Sequence, residues 1–211
     1  MSIFAPNQRT EEQQVYCDFV DQLLEQNKDH NISNGMPEHA VYLIAKLFGM
    51  ASHHVRVYSD KLKHTIASSE RDDNGSELDL YGHQEVIKRV ARLLEIEGSR
   101  VSIVVENDIQ DIEAHPLITT LLELENSGRI KGEFEIRKID QKSLKWLNSE
   151  NYTQHFIVSD SKAYRAENND HEQNYAAIAN FNNVDFSSRL IELFDTMHWK
   201  PSEKIIHIGA V

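Results

Sequence analysis

Residues 86–105 read VIKRVARLLEIEGSRVSIVV, and they decide the fold class. Val86, Ile87, Val90, Leu93 and Leu94 recur at the spacing of one helix face. Gly98 closes that helix, as glycine commonly does where the chain turns left-handed. Val101 to Val105 then form a nearly continuous apolar run between Arg100 and Glu106, the pattern of a strand covered on both faces. An amphipathic helix feeding such a strand is the building unit of an α/β sheet.

Similar units lie on either side. Upstream, Thr10 and Gln13 resemble a capping box, and Val15, Phe19, Leu23 and Leu24 follow at helical spacing, so a helix is predicted over 10–28. Asn31 to Gly35 is turn chemistry, and Pro37 suits the first turn of a largely apolar helix running to about Ala51. Val55 and Val57 alternate with polar residues as in a short strand, and 68–77 is a polar surface loop. Downstream, a helix over Pro116–Asn126 stops at Gly128, and Phe134 and Ile136 mark another strand. A short helical or irregular stretch carries Trp146. Strands are then predicted in His155–Ser159, Lys162–Glu167 and Tyr175–Phe181. A last helix holds Phe186, Leu190, Ile191, Phe194 and Met197 and ends at Trp199. The expected fold is α/β, a mixed and largely parallel central sheet with helices on both faces and antiparallel strands added late. Residues 1–36 are expected to form a helical extension and 37–211 the α/β domain. In the extension, the face bearing Val15, Phe19 and Leu23 packs on the domain or makes a dimer contact.

Composition narrows the function. The 211 residues carry 34 acidic and 22 basic side chains, a net charge of −12, which disfavours general affinity for nucleic acid or anionic lipid. Arg129, Lys131, Arg137, Lys138, Lys142 and Lys145 form one basic cluster, read as a solvated strand and helix edge or as an anion-facing rim. The first helix is acidic, with Glu11, Glu12, Asp18, Asp21, Glu25 and Asp29; it is an exposed acidic face or faces a basic partner. Cys17, the single cysteine, excludes an internal disulfide and reads as a small buried residue. No apolar run approaches the roughly 20 residues of a membrane span. No basic region precedes an apolar stretch at the N-terminus, so the cytoplasm is the expected compartment. The eleven histidines show no metal-ligand spacing, and there is no glycine-rich phosphate loop and no Gly-x-Ser-x-Gly turn. No metal and no cofactor is expected.

The chemistry-bearing segment is 151–183, NYTQHFIVSDSKAYRAENNDHEQNYAAIANFNN. Arg165, inside an apolar strand, needs a carboxylate if it turns inward, and Asp160 or Glu167 can supply it. A structural ion pair or an exposed edge strand is the simpler reading of the same residues.

The order of elements resembles one lobe of the phospholipase D-like superfamily. The helix before HVRVYSDKL, the helix leading into VSIVV, the strand HFIVSD and the stretch AIANFNN are similar to successive parts of that lobe over about 37–199. HFIVSD is similar to the strand and aspartate of the His-x-Lys-x4-Asp motif, and AIANFNN to the Gly-Ser-x-Asn stretch. On this resemblance Asp160 is the motif aspartate, Thr153 stands at the nucleophilic histidine, His155 at the lysine, Ala177 and Ile178 at Gly-Ser, and Asn180 is retained. In active members the histidine attacks phosphorus, the lysine and asparagine hold phosphoryl oxygens, and two motifs meet across a dimer or pseudo-dimer. A threonine without an adjacent base is a poor nucleophile. The resemblance therefore implies a non-catalytic lobe acting as a binding or regulatory subunit of a bacterial cytoplasmic assembly, with a protein partner or a second copy of itself and no membrane. Its ligand- or partner-binding residues are Lys61, Thr153, His155, Asp160, Tyr164, Arg165, Glu167, Asn180 and Asn182. Two alternatives stay open. One is an active phosphodiesterase or nuclease using His155, Asp160 and Asn180, with Lys61 holding the anion. The other is an acidic protein that imitates nucleic acid.

Overall fold

In a computed structural model the chain is described at residues 4, 8–60, 62, 79–109, 111–149, 154–167, 177–199 and 203–209. Helix α1 (Glu11–Glu25) starts on the expected capping box: the Thr10 hydroxyl accepts from the Gln13 N–H at 3.2 Å, and the Gln13 side chain accepts from the Thr10 N–H at 3.1 Å. Its buried face is Gln13, Cys17, Val20 and Leu23. Val15 and Phe19 are turned outward, 66% and 41% exposed, so only Leu23 of the face expected to pack does so. Two residues along a helix lie about 200° round, which carries Val15 and Phe19 away from the Gln13–Cys17 stripe.

Strand β1 (Ile32–Asn34) follows where the sequence shows turn chemistry, and it pairs antiparallel with β7 (Ala177–Asn180). Helix α2 (Pro37–Met50) is almost wholly buried and leads to β2 (His54–Ser59). Next come α3 (Gln84–Leu94), β3 (Arg100–Val105), a 3-10 turn (Ile112–Ala114), α4 (Pro116–Asn126) and β4 (Glu133–Lys138). The last third holds α5 (Gln141–Ser149), β5 (Phe156–Ser159), β6 (Ala163–Glu167), β7, α6 (Val184–Trp199) and β8 (Glu203–Gly209), an edge strand the sequence reading did not anticipate.

Among the described residues eight strands form one sheet, in the order β1-β7-β6-β5-β2-β3-β4-β8. It is mixed, as expected, but mostly antiparallel rather than largely parallel: β2, β3 and β4 run parallel, and the other five pairings are antiparallel. Parallel pairing stops there because β5, β6 and β7 are successive hairpins, which need no crossover helix. Helices cover both faces. On one, Cys17, Val20, Leu23 and Ile32 share a core with α2, α3, α4 and the inward side chains of β2, β3 and β4. On the other, Phe194, Leu190 and Met197 of α6 pack with Leu147 of α5 on Tyr58, Val104, Phe156 and Val158.

Helix α6 is also fastened to the sheet by polar contacts. His198 Nε2 lies 2.7 Å from Glu135, Arg56 Nε donates to Asp195 at 3.1 Å, and Ser102 bridges Glu135 and His54. The His198 contact, against the opposing effect of burial, holds the Glu135 carboxyl down at about 2. Burial and the neighbouring Arg56 hold His54 at about 3, as a neutral ring.

Asp160 ends β5 with a positive φ of 48°. Its carboxylate accepts the backbone N–H groups of Ser52, His53 and His54 at 3.0 Å each, binding the α2–β2 connection to the β5–β6 turn. Burial favours the neutral acid there, but these donors outweigh it and hold the carboxyl below its usual range. Asp160→Ala is expected to destabilise the protein by about 1–3 kcal/mol, through lost acceptors and an alanine at positive φ. Asp160→Gly, which removes only the acceptors, is expected to cost less. Urea unfolding at neutral pH reads both, and no loss in the alanine variant would contradict the capping role.

Candidate functional site

Parallel strands β2 and β3 both end at one edge of the sheet, where β5 begins and β6 finishes. The β5–β6 register pairs Phe156 with Ala166, which sets His155 opposite Glu167; the Glu167 N–H donates to the His155 carbonyl at 2.9 Å. Tyr58 pairs with Phe156 across β2–β5, and Glu106 is the first residue after β3. Four strand ends thus deliver Tyr58, Glu106, His155 and Glu167 to one place.

There the imidazole of His155 sits between two carboxylates. Nδ1 lies 3.1 Å from Glu167 and Nε2 lies 3.3 Å from Glu106. The Tyr58 hydroxyl donates to the same Glu106 oxygen at 2.5 Å, and its ring meets the imidazole edge-on at 5.5 Å. Arg165, 5% exposed, lies 3.7 Å from Glu167 and donates from Nε to the Asn34 side chain at 3.3 Å. The carboxylate Arg165 needs is therefore Glu167, from its own strand; Asp160 is occupied at the other end of β5.

The electrostatics follow from this geometry. Burial opposes a charge on His155, but the carboxylates of Glu106 and Glu167 outweigh it and hold the ring up at about 9. Burial likewise opposes the Glu106 charge, and the contacts from His155 and Tyr58 overcome it, so that carboxyl falls below its usual range. Burial and then Glu106 push the Tyr58 hydroxyl well above its usual range. With both carboxyls ionised and both bases protonated, Glu106, Glu167, His155 and Arg165 sum to zero charge. A protonated imidazole has no lone pair to attack phosphorus or accept a proton. Two carboxylates beside it repel an approaching phosphate.

The other residues anticipated from the sequence lie elsewhere. Asp160 is at the far end of β5, about 16 Å from His155 by strand rise. Asn180 is at that far edge too, paired with Tyr164. It is fully buried, and it donates to Asp29 at 2.7 Å and Asn31 at 3.0 Å. Asn182 donates to the Asn27 carbonyl at 2.7 Å, and the Tyr164 hydroxyl donates to Asn31 at 3.3 Å. Together these three hold the 27–31 connection onto β6 and β7. Thus His155, Arg165 and Glu167 converge, whereas Asp160, Tyr164, Asn180 and Asn182 serve the opposite edge. Lys61 and Thr153 lie outside the described residues. The β5–β6 hairpin explains the split: within segment 151–183, residue 155 meets the end of β6, and β7 runs from that end toward Asn180 at the other.

Sequence reading missed Glu106, Tyr58 and Asn34. Glu106 carried a signal, as the first polar residue beyond the most apolar parallel strand, where α/β sheets place site residues. In the basic cluster, Arg129 pairs with Glu95, Arg137 with Glu135 and Lys138 with Asp108, which favours an ion-paired edge over an anion-facing rim. Among the described residues no group of three or more His, Cys, Asp or Glu could hold a metal ion, and no helix is long and apolar enough to cross a membrane.

The His155 clamp predicts a pH dependence of stability. The folded group at about 9 lies above its ordinary 6.5, so its stabilisation is complete below pH 6.5 and is lost as pH rises through 9. The loss is on the order of 2–3 kcal/mol. Urea unfolding at pH 6, 7.5 and 9 should show it, and His155→Gln should flatten that part of the profile.

No protein-family model matches the sequence, and no curated protein is detectably similar to it. Solved structures are. TrmBL2, an archaeal chromatin protein with a novel mode of DNA binding, matches with a TM-score of 0.53 at 11% identity, over 92% of this chain and 64% of its own. The chain therefore spans just under two thirds of that protein. NUC, a phospholipase D family member from Salmonella typhimurium, matches with a TM-score of 0.46 at 11% identity, over 77% of this chain and 88% of its own. NucT from Helicobacter pylori matches with 0.49 at 10% identity, over 84% and 99%. At such identities these are likenesses of fold alone.

Proposed function

We propose that this chain is a non-catalytic phospholipase D-like protein that works by binding, as a regulatory subunit recognising a protein partner or a second copy of itself in the cytoplasm. One observation carries the reading: the cation at position 155, where the resemblance puts a phosphate-holding lysine, is already neutralised by Glu106 and Glu167. A phosphodiester would have to displace a half-buried, hydrogen-bonded carboxylate to reach it, which leaves that charge without its partner. The phosphodiesterase alternative needs His155, Asp160 and Asn180 together, and they lie at two edges of the sheet. TrmBL2 binds DNA; here a net charge of −12 and a carboxylate-lined strand edge speak against phosphate backbones.

The test is to incubate the purified chain with single-stranded DNA, RNA and a chromogenic phosphodiester, beside His155→Ala. Both proteins are expected to give the same background. Turnover by the wild type that disappears in His155→Ala would overturn the non-catalytic reading.

A further inference from the structure

Strand β1 ends the sheet order, and among the described residues its outer edge has no strand partner. Helix α1 lies alongside with its unexpected outer face. Val15 and Phe19, one turn apart, are 66% and 41% exposed. Glu11, Glu12 and Asp18, all exposed, lie within about a turn of Val15, and α1 contains no lysine or arginine. Between α1, β1 and the start of α2 runs a groove of about 490 Å³, whose lining includes Tyr16, Phe19, His30, Ile32, Met36 and His39. The ring of His30 meets Phe19 edge-on at 5.8 Å.

His39 points independently to a ligand. It is 7% exposed, stacks on Tyr16 at 3.6 Å, and its Nε2 is buried with no hydrogen-bond partner among the described residues. Burial lowers its basicity and keeps the ring neutral. A buried polar nitrogen without a partner costs stability unless something binds there.

We infer that this groove and the adjoining face of α1 receive a basic amphipathic segment of a partner protein. Apolar side chains of that segment cover Val15 and Phe19, its lysines or arginines meet the acidic rim, and one of its polar groups reaches His39 Nε2. A second copy of this chain fits poorly, because a two-fold axis here would set one acidic rim against the other. The inference takes from the proposed function only that the partner is a protein. Phosphodiester turnover in the same preparations tests that reading separately.

The experiment uses the full chain and a fluorescent Leu/Lys peptide of about four helical turns, with its Leu/Glu counterpart as control. The Leu/Lys peptide is expected to bind, to weaken with added salt, and to shift amide resonances in α1, β1 and the first turn of α2. Phe19→Ser and Val15→Ser, exposed positions that leave the charge unchanged, should each weaken binding about tenfold with Tm unaltered. Glu12→Gln with Asp18→Asn should weaken it by removing rim charge and provides a second route if a serine variant folds poorly. Equal affinity in all these variants, shifts on another face, no binding of the basic peptide, or self-association lost in Phe19→Ser would each overturn the inference.

Discussion

Two cations and two carboxylates are confined at the end of four strands, and this charge balance constrains the rest of the site. Arg165 is buried because β6 is an interior strand, and Glu167, two residues on, faces the same side and answers it. Glu167 touches both Arg165 and His155, one with each oxygen, but its single charge balances only one of them. Glu106, delivered by the parallel strand β3, supplies the second negative charge, and Tyr58 donates to the same oxygen that meets His155. Removing one member of such a set leaves the others, Arg165 buried and the rest half-buried, without a counter-charge. The same closure engages both ring nitrogens of His155.

At the opposite edge the polar residues work as braces. Asp160 gathers three backbone N–H groups from a connection 106–108 positions earlier. Asn180 and Asn182 pin the connection after α1 to β7. These contacts close long loops, and they help explain how a first strand of only three residues stays in one continuous sheet. A residue that fits a catalytic motif by spacing, such as Asp160 or Asn180, here has a sufficient structural occupation.

Much of the fold was legible because its determinants are local. The helical period of 86–94, the apolar run 101–105 and the capping box at Thr10 each depend on residues a few positions apart, and each forms as read. Strand β1 was not legible: three residues in a turn-like stretch gain strand geometry only from pairing with β7, more than 140 positions later. Which face of α1 packs on the domain was not legible, because the helix offers two apolar stripes and the covered one is Cys17, Val20 and Leu23. The site was half legible. Arg165 announced its need for a carboxylate, and Glu167 was at hand, but Glu106 meets His155 only through the sheet order, from 49 residues away. Motif spacing grouped Asn180 with His155, and the hairpin direction separated them.

The central claim is that His155 is a clamped cation, and the most direct measurement is an NMR pH titration of its imidazole nitrogens in the intact chain. The account predicts that both ring nitrogens stay protonated through neutral pH, with a midpoint near 9. A midpoint at the ordinary histidine value, with a single neutral tautomer at pH 8, would contradict it.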